Sequence, residues 1–242
     1  MVRMNHVVRS AADSVAERVH EVVQEVKPRL RGWQHLVTAP MTLVGGIVLV
    51  VLSPTASTRV GSALFIGSAL VLFTVSAIYH CGTWSPKTWQ MLRRFDHSNI
   101  FLLIAGSYTP FTVMLLEGSE QVILLTMVWT GAVLGVLFRI FWLGAPRWLY
   151  VPIYIAMGWA AVFFLPAFAH GADRLGVGVG TAVLVMVVLG GTLYTLGGVV
   201  YALKKPDPFP QWFGFHEIFH SFTILAFVVH YVGVSLATYS LR

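Results

Sequence analysis

Seven stretches of the chain are apolar enough, over a length near the roughly 20 helical residues that a bilayer requires, to be read as membrane spans. They fall at about 36–52, 60–80, 97–116, 121–142, 148–167, 177–203 and 212–238. The first is the shortest, and it qualifies because LVTAPMTLVGGIVLVVL carries no charge. The connections are short, and no polar segment long enough for a soluble domain intervenes. The pattern therefore predicts an all-α, polytopic membrane protein with seven transmembrane helices.

A different periodicity precedes the first span. Val8, Ala11, Val15, Val19, Val22 and Val26 recur at spacings of three and four, while Arg9, Asp13, Glu17, Arg18, Glu21 and Glu25 occupy much of the remaining surface. This predicts an amphipathic helix over 7–27. It either lies on the membrane surface or packs on the loops of the bundle. Pro28 and Gly32 interrupt it, which divides the chain into a segment 1–32 and a seven-helix domain 33–242. Residues 1–35 mix Arg, Glu and His with no apolar run and do not read as a cleavable signal.

Composition supports the membrane reading. The chain is 57% hydrophobic and only 11% charged, against about a quarter charged in soluble domains. A net charge of +6 could suggest nucleic acid, but its distribution argues for topology instead. With the N-terminus inside, the inside segments hold thirteen Lys and Arg, and only Arg59, Arg174 and Arg242 fall outside. The bias recurs in every inside loop, so the positive-inside rule predicts the N-terminus inside and the C-terminus outside. A single cysteine, Cys81, rules out an internal disulfide.

Glycines and prolines refine the packing. Gly131 with Gly135, Gly176 with Gly180, Gly190–Gly191 and Gly197–Gly198 permit close helix approach. They predict a central, tightly packed sixth span. Pro110, Pro152 and Pro166 are expected to kink or end their helices.

Polar groups inside spans are costly and mark function. The second span ends in SAIYH, the third opens with FDHSN and the seventh with FGFHEIFH. Ser76 and His80 are four residues apart, as are His216 and His220, so each pair shares a helix face. Under the predicted topology Ser76, His80, Asp96, His216 and His220 all lie near the cytoplasmic side. One intramembrane histidine is most simply a packing residue. Three at one depth with an aspartate beside them resemble a catalytic zinc with an open fourth position. Histidine suits zinc, and no thiolate cluster or carboxylate-rich shell favours iron or calcium. In this reading Asp96 is the base for the metal's water, and Ser76 donates a hydrogen bond to that water or to a substrate oxygen. His97 is expected at the headgroup level and His230 as a structural or interfacial residue. His6, His20, His35 and His170 read as solvated, and Cys81 lies off the His80 face. HEIFH also matches H-E-x-x-H, in which Glu217 would be the base of an intramembrane metalloprotease.

From about residue 33 to the C-terminus the sequence resembles the hemolysin III family, the bacterial branch of the progestin and adipoQ receptors. SAIYH, RFDHSNIFLLIAGSYTPF and WFGFHEIFH carry the resemblance. It implies a multi-pass protein of the bacterial plasma membrane, with zinc held by His80, His216 and His220. It also implies that Asp96 orders a zinc-bound water, with Ser76 beside it. The wider superfamily includes alkaline ceramidases, which hydrolyse lipid amides, and eukaryotic receptors. The implied function is zinc-dependent hydrolysis of a membrane lipid, with that lipid as substrate or ligand and no role for nucleic acid. The alternative is a non-enzymatic regulator, receptor-like protein or pore-forming hemolysin with structural zinc, although no residue pattern suggests a charge-lined pore.

Overall fold

The computed structural model describes residue 28 and residues 30–242; the helix expected over 7–27 lies outside them. The described chain is helical throughout: α1 (Trp33–Leu52), α2 (Ala56–Cys81), α3 (Pro86–Leu115), α4 (Gly118–Phe141), α5 (Arg147–Gly158), a 3₁₀ segment (Ala160–Phe164), α6 (Leu165–Asp173), α7 (Val177–Leu203) and α8 (Phe215–Ser240). With α5, the 3₁₀ segment and α6 taken as one interrupted span, seven helical segments are long and apolar enough to cross a membrane.

The largest boundary difference is at α3, which begins at Pro86 rather than near residue 97. Its start is locally encoded: the Ser85 hydroxyl accepts a hydrogen bond from the Thr88 amide, and Pro86 occupies the first turn, where a missing N–H costs nothing. The turns carrying Lys87, Arg93 and Arg94 are too polar to register as span, yet they continue the helix. Pro110 lies inside α3 without ending it. In the fifth span α5 stops at Gly158, well before Pro166, which instead sits in the first turn of α6.

The core is centred on α3, whose most apolar window is 72% buried; in α7 the figure is 17%. The sixth span is therefore not central as expected. Its window is the least buried of the seven, and it packs on α8, α5 and α6 with Gly180, Val183, Gly190, Gly197 and Tyr201 buried. The glycines do mark close approach: a Cβ at Gly180 would lie 2.3 Å from the Ala172 carbonyl oxygen, and one at Gly190 would lie 2.1 Å from Nε2 of His230. Small residues report how near a neighbour comes, not how much of the helix is covered. Helix α8 packs along α7 and also against α1 and α3, α2 lies between α1 and α3, and α4 packs on α3. The end of α2 and the beginnings of α1, α3 and α8 therefore meet at one end of the bundle. At the other end Arg174 pairs with Glu117.

Candidate metal centre

His80 lies in the last turn of α2, while His216 and His220 occupy successive turns at the start of α8. Antiparallel packing brings the three rings together, with centroids separated by 4.9 Å (His80–His216), 5.2 Å (His80–His220) and 4.6 Å (His216–His220). One ligand atom from each lies within 4.8 Å of the others, a spacing that could hold one metal ion. The surroundings fit a cation. His80 and His220 are buried, and His216 Nε2 and His220 Nδ1 are buried with no hydrogen-bond partner among the described residues. Buried imidazole nitrogens left this way are costly unless something occupies them.

Asp96 approaches from α3, with Oδ2 3.8 Å from Nε2 of His80 and the side chain largely buried. Ser76, one turn before His80, is buried and stands beside the Asp96 carboxylate. Ser76, Asp96 and His220 share the wall of a cavity of about 130 Å³ that runs into the bundle. Its lining is predominantly apolar, with Leu72, Ile104, Phe111 and Phe168 among its walls. Further along it stands His230, buried in a notch at Gly190 with Nε2 3.4 Å from the Val187 carbonyl oxygen.

Glu217 is fully buried, but both carboxylate oxygens are already engaged. Oε1 accepts from Arg31 Nε at 2.8 Å, and Oε2 accepts from the Gly214 amide at 2.8 Å. The carboxylate thus caps the first turn of α8 and anchors the start of α1. That geometry gives no support to the metalloprotease role suggested by HEIFH.

Several polar residues are more enclosed than their sequence context suggests. His97 is buried within the bundle: Nδ1 donates to the Arg93 carbonyl at 2.8 Å, and Nε2 accepts from the Tyr201 hydroxyl at 3.2 Å. Arg139, counted among the inside charges, is buried with its guanidinium 4.3 Å from the centre of the Tyr150 ring. The larger surprise is His35. It is 2% exposed, lines the same cavity and stacks on His220 with centroids 4.1 Å apart and planes inclined by 22°. Its position at the polar beginning of a span made it look like tail, and no i,i+4 partner marked it. His170 is exposed, as expected, and Cys81 is exposed and outside the converging set.

The model of the Haemolysin-III related family matches residues 23–231. Over 166 residues the chain is 36% identical to a hemolysin-3 homolog of Bacillus subtilis (strain 168), covering 68% of this chain and 71% of the relative. It is 29% identical over 214 residues to hemolysin-3 of Bacillus cereus, with coverage of 87% and 91%. A more distant similarity, 29% over 184 residues, links it to an adiponectin receptor protein of Drosophila melanogaster; that match covers 72% of this chain and 41% of the relative. The chain belongs to the Haemolysin-III related family, within the progestin and adipoQ receptor superfamily, and is a multi-pass bacterial membrane protein.

Proposed function

We propose that this haemolysin-III related protein is a zinc-dependent hydrolase of a membrane lipid, acting at an amide bond. The observation that carries the reading is the convergence of three histidines, one of which, His220, lines an apolar cavity whose wall also holds Asp96 and Ser76. A lipid's polar linkage can reach the histidine end of this cavity with part of its chain against the apolar wall. His80, His216 and His220 would hold the ion. Zinc so bound acts as a Lewis acid that polarises a carbonyl and brings the pKa of water towards about 7.

The remaining chemistry belongs to the chain. Asp96 takes the proton from the attacking water as the new C–O bond forms, then returns it to the amide nitrogen as the C–N bond breaks, leaving a carboxylic acid and an amine. Ser76 donates a hydrogen bond to the carbonyl oxygen as negative charge develops there. The apolar wall keeps other water away and strengthens both interactions.

Relatives named hemolysin and adiponectin receptor support a second reading, a non-enzymatic membrane protein with structural zinc. One experiment separates the two: turnover of a ceramide by purified protein in lipid vesicles loaded with a fluorescent dye. Stripping the metal with a chelator is expected to lower turnover at least tenfold, and added zinc to restore it. Leakage of dye without turnover, persisting after metal removal, would favour the second reading.

A further inference from the structure

The beginning of α1 touches the metal centre through several adjoining residues. Arg31 bonds to Glu217 and Gln34 Nε2 donates to the Ser221 hydroxyl at 2.7 Å, so the two bonds bracket His220 on α8. Between them the His35 ring lies flat on the His220 ring and is backed by Phe73 at 5.1 Å. On the other side the turn presses on α2. A Cβ at Gly32 would come within 2.8 Å of the His80 Cβ and 2.7 Å of Cys81 Sγ, and Gly32 has φ +89°. Only glycine combines that backbone with that approach.

Metal-ligating histidines are ordinarily oriented by a hydrogen bond from the second ring nitrogen to a carbonyl or carboxylate. Among the described residues, His220 makes no such bond. Packing against other rings must therefore set its orientation. His35 makes the closest and most nearly parallel of these contacts; those to His216, His80 and Phe219 are steeper and at 4.6–5.7 Å. Among the described residues neither nitrogen of His35 has a hydrogen-bond partner, so the face of the ring, not its polar edge, makes the contact. A metal-bound imidazole shares the ion's positive charge, and an aromatic face attracts it.

We propose that residues 31–35 form a clasp for the metal centre, in which His35 is the positioning residue that holds the His220 ring in its coordinating orientation. The clasp rests on the metal reading of the three histidines, not on hydrolysis, and so its test is metal binding. Purified wild-type, His35→Gln and His35→Phe proteins are titrated with zinc against a competing chelator and with cobalt(II), whose visible absorption reports coordination geometry. His35→Gln is close in size but has no ring; it is expected to bind zinc about 10–100-fold more weakly and to alter the cobalt spectrum. His35→Phe restores a flat face and is expected to stay close to wild type in both. Equal zinc affinity in His35→Gln and wild type would overturn the clasp, as would a loss in His35→Phe matching that in His35→Gln. A wild-type protein that takes up neither metal would remove the metal reading itself, and the clasp with it.

Discussion

Replacing Asp96 by asparagine is expected to lower amide turnover by about 10²–10⁴-fold, the usual contribution of a general base, while metal content stays at the wild-type level. Asparagine keeps the shape of the side chain but cannot take a proton. The expected ligands all come from α2 and α8, and Asp96 stands 3.8 Å from His80 on α3, close enough to serve the chemistry without holding the ion. The split between turnover and metal content separates the roles. Loss of both would make Asp96 a ligand or a structural support, and unchanged turnover would remove it from the mechanism.

Replacing Arg31 by alanine is expected to destabilise the protein by about 2–4 kcal/mol, because a wholly buried carboxylate loses its counter-charge. Glu217 has no exposure, whereas the Arg31 side chain keeps 23%, so the uncompensated group is the acid. Unfolding in detergent, followed by circular dichroism, measures the loss. Adding Glu217→Gln should recover most of it, since the second change removes the stranded charge; a double variant as unstable as the single one would show that the pair is not coupled. Glu217→Gln alone should leave turnover per folded molecule nearly unchanged. A metalloprotease using Glu217 as its base would lose activity in that variant.

The two halves of the account were legible in the sequence to different degrees. Long apolar runs separated by charge display span number directly, because a bilayer demands a minimum length. Helix ends are harder. Hydropathy loses α3 where Lys87, Arg93 and Arg94 begin, although the Ser85–Pro86 cap was there to be read. Glycines told of close approach on the sixth span but not that so little of it is fully buried. At the histidine cluster, i,i+4 spacing and common depth suggested that His80, His216 and His220 meet, and the fold does bring them together. The clasp left no comparable trace. Arg31 and Glu217 are 186 residues apart, and Gln34 and Ser221 187, and no local pattern records such a pairing. His35 is a single polar residue at the start of a span, where solvation is the simplest reading; only the packing of α1 against α8 reveals its burial.

Both the proposed hydrolysis and the clasp require that His80, His216 and His220 hold a metal. Elemental analysis of purified wild-type protein and of His80→Ala, His216→Ala and His220→Ala tests this directly. Wild-type protein is expected to carry about one equivalent of zinc per chain, and each variant to lose most of it while keeping its helical circular dichroism. Undiminished zinc in all three variants, or none in the wild type after purification with zinc supplied, would contradict the account.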